Sequence, residues 1–303
     1  MWGEMKLGAL DAVWYDLPFE SRLRRISELH LSGVECWLNS AELGFCVDRE
    51  WPETHRPERV SLSREKLAKL VDRFDLHIHS YGQYEVMGPF LGPYPTQVLT
   101  GTKREKRIED IKRLMDFCAE VGVKLLIVAS GGDPDDPSHW RPLVDDFMSE
   151  LVSHAERVDV TIGMENSPEA LVKDEEDLLM LIKEMHSKAL RVNFDPANLN
   201  LTPPGNRDLP GAIRKLKGHI ISVHAKDSVY GGGPYGQMSD GTWRCPPIGQ
   251  GTVPWRECIR ALKDIGFDGY LIIEYSYPFG VVPLEERDRA VLSGKTHLEN
   301  LLK

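Results

Sequence analysis

The sequence has few of the features that mark secreted, membrane-bound or disulfide-rich proteins. Its five cysteines are an odd number, lie far apart in the 303 residues and include no C-x-x-C pair, so reduced, buried thiols are expected. No stretch reaches the roughly 18 apolar residues of a membrane span. The opening MWGEMKLGALDAVWYD has no basic head followed by an apolar run of signal-peptide length. We therefore expect a cytoplasmic protein with no membrane partner.

Positive charge is also scarce. Lys and Arg total 37 against 47 Asp and Glu, which gives a formal net charge of −10. Such a field repels a phosphate backbone, so nucleic acid is not an expected partner. A G-x-G-x-x-G turn after an early strand is missing as well, which argues against an open dinucleotide-binding sheet.

The chain does contain a regular alternation of short apolar runs and helical patterns. Eight runs are predicted to be strands: KLGALDAVW, GVECWL, LHIHSYG, KLLIVASGG, VTIGMENS, LRVNFDPANL, HIISVHAKD and YLIIEYS. Gly33, Gly122, Gly218 and Gly266 stand where the intervening helices should end. Continuous apolar strands are typical of a parallel sheet buried on both faces. The pattern predicts an α/β protein, a single (β/α)8 TIM barrel domain over residues 1–303.

Four consecutive predicted strands finish in side chains that can bind a metal. The fifth ends with Glu165 and Asn166, the sixth with Asp195, the seventh with His224 and the eighth with Glu274. The carboxyl ends of barrel strands converge on one mouth. Singly, each residue could be a helix cap, a core histidine or an ion-pair partner. Together, three carboxylates and one imidazole favour one divalent ion, Mn²⁺, Mg²⁺ or Co²⁺, with Zn²⁺ also compatible.

Six short motifs carry a family resemblance. They are GVE at 33–35, MEN at 164–166, NFDPANL at 193–199, HAKD at 224–227, IGQGTVPW at 248–255 and GYLIIE at 269–274. In this order and spacing the chain resembles the sugar phosphate isomerase/epimerase superfamily, the xylose isomerase-like TIM barrels, over essentially its full length. The resemblance places the family's metal ligands on Glu165, Asp195, His224 and Glu274, the four residues already found at strand ends.

The resemblance also implies a reaction. In the epimerases of this group two metal-binding glutamates face opposite sides of the sugar, and these correspond to Glu165 and Glu274. One removes a proton next to a carbonyl and the other returns it, through a metal-stabilised enediolate. The implied protein is a manganese-dependent isomerase or epimerase of carbohydrate metabolism that acts on a keto sugar as a homodimer or homotetramer. The alternative is a lyase or dehydratase that eliminates a β-oxygen from a keto sugar, inosose or 3-keto-glycoside.

Departures from the family pattern concern the substrate. Ketohexose 3-epimerases usually have a His and an Arg that contact substrate where this chain has Asn198 and Tyr230, so the resemblance makes Asn198 a candidate substrate contact. Its HAKD instead resembles the H-x-K-D of inosose dehydratase-like members, which implies substrate contacts for Lys226 and Asp227. Lys226 shares strand parity with His224, so we expect it to point into the mouth. A salt bridge at the barrel rim is the alternative for Lys226.

Other mouth residues are predicted with less specific signals. His79 ends the third strand and could contact substrate, while Glu35 ends the second and could bind a hydroxyl or orient His79. Trp14 could offer an apolar wall to a sugar, or could belong to the core. The loop over 228–252 is long enough to be a lid or a subunit contact, with a plain surface loop as the alternative.

Two further functional classes fit the sequence less well. A nuclease of the endonuclease IV type would need several more strand-end histidines and a basic face, which this acidic chain does not supply. A barrel that only binds a sugar would need to have lost a catalytic acid or base, whereas both glutamates are present.

Overall fold

The eight predicted strands form a closed parallel barrel. The computed structural model describes residues 4–37, 64–82, 101–205, 207–229, 245–276 and 282–303. Within these ranges the strands are β1 (Lys6–Leu10), β2 (Gly33–Cys36), β3 (His77–Gly82), β4 (Leu125–Ala129), β5 (Thr161–Glu165), β6 (Leu190–Phe194), β7 (Ile220–Ala225) and β8 (Tyr270–Ile273). They pair in chain order and β8 closes on β1. The predicted (β/α)8 barrel is confirmed.

Helices surround the barrel and bury their apolar faces against the strands. In the described residues they are α1 (Phe19–Glu28), α2 (Arg64–Phe74), α3 (Gly101–Val121), α4 (Ser149–Val158), α5 (Glu175–Met185), α6 (Pro196–Leu201), α7 (Leu209–Lys215), α8 (Trp255–Ile265) and α9 (Leu284–Leu302). In α8, Ile259 and Leu262 are buried while Arg260 and Lys263 are exposed, the pattern of a helix with one apolar stripe. None of the described helices combines the length and hydropathy needed to cross a bilayer.

The predicted helix-ending glycines divide into two groups. Three have a φ between +79° and +81° close to a helix end: Gly122, Gly218 and Gly266. The prediction is wrong for Gly33, which lies in β2, and the left-handed residue after α1 is His30 with φ +54°. A Cβ at Gly33 would lie 2.3 Å from the Tyr270 ring. Gly33 is therefore required by close packing inside the barrel.

The inward and outward faces of the strands differ in character. In β5, Ile162 and Met164 belong to the apolar core that packs against the helices. Glu165 has the opposite parity, so it points into the barrel mouth. In β3 the pairing skips from Ile78 to Ser80, and this irregularity leaves His79 as an extra residue in the strand.

Four of the five cysteines lie within the described residues, and all four are buried and form no disulfide: Cys36, Cys118, Cys245 and Cys258. Cys46 lies outside the described residues. Burial raises the pKa of Cys118, Cys245 and Cys258, so these three thiols are poor nucleophiles.

Candidate metal centre

The carboxyl ends of β5 to β8 bring the four strand-end residues together. Glu165, Asp195, His224 and Glu274 each offer one ligand atom, and these atoms all lie within 4.8 Å of one another. Glu165 is the last residue of β5, His224 lies in β7, and Asp195 and Glu274 directly follow β6 and β8. The structure thus assembles the predicted cluster, with three of its residues buried and Glu274 partly exposed.

Asp195 divides its two carboxylate oxygens between the helix and the cluster. Oδ1 accepts the Asn198 backbone N–H at 2.9 Å and caps α6. Oδ2 is buried, has the Lys226 ammonium at 2.9 Å and makes no hydrogen bond of acceptable geometry with the part of the chain that the structure describes. Burial and the neighbouring Glu274 charge raise the pKa of Asp195, against the opposing effect of Lys226. A buried carboxylate oxygen that interacts with a cationic group and keeps hydrogen-bonding capacity is suited to bind a cation.

His224 presents one ring nitrogen to the cluster and the other to a further carboxylate. Nδ1 lies 3.3 Å from Glu165 Oε1 and 3.1 Å from Glu274 Oε2. Nε2 lies 3.1 Å from Glu35 Oε1. Burial alone would lower the pKa of His224, but the charges of Glu165 and Glu35 outweigh it and raise the pKa well above its usual value. Because Nδ1 faces Glu165 and Glu274 while Nε2 faces Glu35, Nδ1 is the nitrogen placed to bind a metal.

Glu35 contacts His224 and not the predicted His79. It is fully buried, and its Oε2 accepts a hydrogen bond from Ser80 Oγ at 2.8 Å. The contact between Ser80 and Glu35 results from the irregular pairing in β3, which sets Ser80 opposite Glu35. Ser80 was not identified from the sequence, since simple strand alternation gives no signal for it.

Lys226 lies inside the mouth, as its strand parity predicts. Its Nζ is 2.9 Å from Asp195 Oδ2 and 3.0 Å from Glu274 Oε1, and the residue is 3% exposed. Glu274 Oε1 also accepts a hydrogen bond from Ser276 Oγ at 2.7 Å. The lysine thus forms ion pairs with two residues of the cluster, and its contact with substrate remains a prediction.

Two asparagines hold Glu165 and Asp195 in place at the ends of β5 and β6. Asn198 Nδ2 donates to Glu165 Oε1 at 3.0 Å. Asn166 Nδ2 donates to the Asp195 carbonyl, and Asn166 Oδ1 accepts the Asp195 N–H, both at 2.9 Å. Asn198 is therefore placed to orient Glu165. Asn166 was noted in the sequence only as a neighbour of Glu165, and its ladder contact to β6 requires the tertiary structure.

The Asp227 carboxylate accepts hydrogen bonds from backbone N–H groups. Its two oxygens accept N–H groups at 2.8 to 3.1 Å from four residues: Ser228, Gly249, Gly251 and Val253. A Cβ at Gly251 would lie 2.1 Å from Asp227 Oδ1. This close approach explains the second glycine of the IGQGTVPW motif. The four backbone hydrogen bonds favour a structural role for Asp227 over the predicted substrate contact.

His79 and Trp14 lie away from the cluster. His79 Nε2 is 3.0 Å from Ser222 Oγ, and its ring packs on Tyr270 with centroids 4.7 Å apart. Ser222 precedes His224 by two residues in β7, so His79 lies one layer deeper in the barrel. Burial lowers the pKa of His79 to about 3. Trp14 is fully buried and donates to Asp288 Oδ1 in α9 at 2.8 Å, which favours the core alternative.

The predicted lid or subunit contact falls largely outside the described residues. These exclude 230–244, which is most of the loop over 228–252 and includes Tyr230. Both interpretations of this loop remain predictions.

Comparison with known proteins finds a matching family and a similar epimerase. Residues 23–299 match the family described as xylose isomerase-like TIM barrel. L-ribulose-5-phosphate 3-epimerase UlaE of Salmonella heidelberg is 26% identical over 265 residues, which cover 82% of this chain and 85% of that protein.

Two solved structures show the same fold. D-psicose 3-epimerase of Clostridium cellulolyticum H10, solved with D-tagatose, superposes with a TM-score of 0.71 at 17% identity, over 99% of this chain and 100% of that one. A xylose isomerase-like TIM barrel protein of Mycobacterium smegmatis in complex with magnesium gives a TM-score of 0.70 at 15% identity, over 100% and 98% of the two chains. From the match over residues 23–299, this chain belongs to the xylose isomerase-like TIM barrel family.

Proposed function

We propose that the protein is a divalent-metal-dependent isomerase or epimerase that removes and returns a proton next to the carbonyl of a keto sugar. The observation that carries the proposal is the convergence of Glu165 and Glu274 on His224 Nδ1, from β5 and β8, in one four-residue cluster. The similarity to a 3-epimerase of a ketose phosphate supports the same class of substrate. The oligomeric state and the cytoplasmic location remain predictions.

The residues of the cluster fit a hard divalent cation. Three carboxylates and one imidazole suit Mn²⁺, Mg²⁺ or Co²⁺, and the buried Asp195 Oδ2 has an unused hydrogen-bonding capacity. Of these three ions, we propose Mn²⁺ as the one that the site binds. The chemistry supplied by a cation held there is polarisation of the substrate carbonyl and stabilisation of the charge left by deprotonation.

The two glutamates are held in ways that suit an acid–base pair. Asn198 fixes Glu165 through Oε1, while Ser276 and Lys226 fix Glu274 through its own Oε1. Burial acts to raise the pKa of Glu274, but Lys226 and His224 outweigh it and lower the pKa, so this carboxylate is ionised at neutral pH. Return of the proton by the opposite glutamate to the same carbon gives an epimer, and return to the neighbouring carbon gives an isomer.

The alternative is a lyase, and Lys226 is the residue that favours it. Deprotonation next to the carbonyl would be the same, but a β-oxygen would then leave as water or as an alcohol. The Lys226 ammonium lies at 2.9 and 3.0 Å from two residues of the cluster, where it could donate a hydrogen bond to the departing oxygen.

Metal analysis and isotope exchange test the proposal. The protein, loaded with Mn²⁺ or Mg²⁺, is incubated in D₂O with keto sugars, their phosphates, inososes and 3-keto-glycosides, and products are read by mass spectrometry and NMR. Deuterium gained on an otherwise intact sugar supports the isomerase or epimerase, whereas loss of water or of an alcohol supports the lyase. If the metal-loaded protein neither exchanges hydrogen in any substrate of the panel nor eliminates a group from one, both proposed reactions are contradicted.

The glutamate variants make the same test specific to residues. We expect Glu165→Gln and Glu274→Gln each to slow exchange by about 10²- to 10⁴-fold. Glu175→Gln is the matched control, because Glu175 is a buried acid on α5 that pairs with Arg207 and Lys215 outside the cluster. Exchange that is slowed equally by all three variants would mean a general loss of folding.

A further inference from the structure

We infer that Glu35 is a positioning residue that holds the His224 imidazole with its Nε2–H donating to the Glu35 carboxylate and its Nδ1 directed at the metal. The inference rests on the proposed metal site and adds to it a fifth residue, on a strand that supplies no ligand.

The first support is the geometry of the histidine ring. Its two nitrogens have separate surroundings, with Glu165 and Glu274 around Nδ1 and Glu35 at Nε2. A neutral imidazole carries one proton, so a proton on Nε2 leaves the Nδ1 lone pair for a cation. An Nε2–H···carboxylate contact at 3.1 Å is the arrangement that fixes both tautomer and ring orientation at metal sites.

The second support is that Glu35 itself is held in place. It is fully buried and paired with β3 through Ser80 Oγ. Because Oε2 is engaged by Ser80, Oε1 is the oxygen directed at the ring. The backbone of β2 is fixed in turn between β1 and β3, with Leu10 and Ser80 as the register partners of Glu35.

The third support is electrostatic. A buried carboxylate is costly unless it is paired, and the only charged group that the described residues place in contact with Glu35 is His224. A cation bound to Nδ1 of His224 would take the place of the proton on that nitrogen. It would also make the remaining Nε2–H more acidic. The carboxylate of Glu35 makes such an imidazole a stronger donor to the metal.

Substitution of Glu35 by glutamine tests the inference with little change in shape. The amide oxygen of the new side chain can still accept from Nε2–H, but the charge is lost. We expect Glu35→Gln to weaken Mn²⁺ binding, measured by titration calorimetry on the metal-free protein, by about 10- to 100-fold. Ser80→Ala, which removes only the support of Glu35, should have a smaller effect in the same direction. Glu175→Gln should bind Mn²⁺ as the wild type does.

Two readouts separate positioning from a general role in folding. Thermal unfolding in EDTA should be similar for wild type and Glu35→Gln, while the increase in Tm on adding Mn²⁺ should shrink. In ¹⁵N-histidine NMR spectra of the Mg²⁺-loaded wild type, His224 should be the Nε2–H tautomer, and the variant at the same Mg²⁺ concentration should show a mixture of this form and of metal-free forms.

The outcomes are distinguishable from failure of the proposed function. Wild-type affinity and an unchanged tautomer in both variants would overturn the role of Glu35 while leaving the metal site intact. A lower Tm in EDTA with an unchanged metal-induced shift would assign Glu35 to folding alone. Absence of Mn²⁺ and Mg²⁺ binding by the wild type would overturn the proposed function and, with it, this inference.

Discussion

At the scale of single residues, the candidate site consists of side chains that each serve two partners. Asp195 caps α6 with one oxygen and directs the other at the cluster, and His224 contacts the cluster with one nitrogen and Glu35 with the other. The Asp195 carboxylate therefore caps a helix with one oxygen and still directs the other at the cluster, although cap and ligand look like alternatives in the sequence. Because each side chain has two partners, a substitution that changes a single atom can remove one contact and keep the other.

Asp195→Asn should separate the two roles of this residue. Asparagine retains an oxygen to cap α6, because Asn and Asp are comparable N-caps, but it replaces the oxygen that faces the cluster with an amide nitrogen. We expect the α6 cap to be retained, while loss of the buried ion pair with Lys226 lowers stability in EDTA, and Mn²⁺ affinity measured by calorimetry to fall by at least about 100-fold. Asp208→Asn is the control, because Asp208 caps α7 through the Gly211 N–H at 2.9 Å. Equal metal affinity in both variants would contradict the assignment.

Asn198→Ala should affect turnover more than metal binding. The substitution removes the 3.0 Å hydrogen bond to Glu165 Oε1 and so loosens the proposed base. Because small errors in the position of a reacting group are costly, we expect kcat to fall by about 10- to 100-fold, with the Kd for Mn²⁺ changed much less. This can be measured by deuterium exchange and calorimetry on the same preparation. A normal kcat would show that Asn198 does not orient Glu165.

At the scale of elements, loops and the last helix are tied to the barrel by buried charged groups. Asp227 collects four backbone N–H groups of its own loop and of the 248–253 turn. Arg287 in α9 bonds the Val13 carbonyl and the Asp16 carboxylate in the segment after β1. These contacts stabilise the connections on which the strand ends depend.

Asp227→Asn tests whether Asp227 is structural. The amide nitrogen cannot accept two of the four hydrogen bonds, so we expect a loss of about 1 to 3 kcal/mol in the free energy of unfolding, measured with urea in EDTA. Mn²⁺ affinity per folded molecule should be retained. Normal stability with a raised KM for substrate would instead support the substrate contact predicted from the sequence.

The ion pair between Asp16 and Arg287 should give a pH-dependent contribution. Its hydrogen bonds lower the pKa of Asp16. A lowered carboxyl pKa means that the stabilisation is present above the unfolded-state pKa of about 3.9 and is lost as the pH falls through the folded-state value. Asp16 is 41% exposed, so we expect Asp16→Asn to cost about 0.5 to 1 kcal/mol at pH 7.

The measurement for Asp16 is urea unfolding of wild type and Asp16→Asn at pH 7 and near pH 2.5. The difference in unfolding free energy should shrink at the lower pH, where the wild-type carboxylate becomes protonated. A difference that stays constant with pH would mean that the charge of Asp16 does not contribute.

At the scale of the whole molecule, the proposed ligands come from four adjacent strands of the closed barrel. A cation bound there would link β5 to β8, and only in the folded state. At a free Mn²⁺ concentration of about 100 times Kd, binding should add about 2.7 kcal/mol to the free energy of unfolding. EDTA should remove this gain reversibly, as followed by Tm. An identical Tm with and without metal, at a concentration that saturates the site, would contradict a folded-state metal site.

Much of the fold and the centre of the site could be predicted, because both depend on local patterns. Strand-length apolar runs predict the barrel, and a barrel brings strand ends together, so Glu165, Asp195, His224 and Glu274 could be grouped without a structure. Gly33 was interpreted incorrectly because a glycine between helix and strand also fits a helix end. Only the packed barrel shows the Tyr270 ring against it.

The sequence by itself determined the alternation of strands and helices, the barrel and the four-residue cluster, because periodicity and strand parity are properties of neighbouring residues. The partners of Glu35, Ser80, Asp227 and His79 were decided only by the tertiary structure. The irregular pairing in β3 moves Ser80 opposite Glu35 and His79 beneath the cluster. Such shifts arise from the register between strands distant in the chain, for which a single sequence carries no periodic signal.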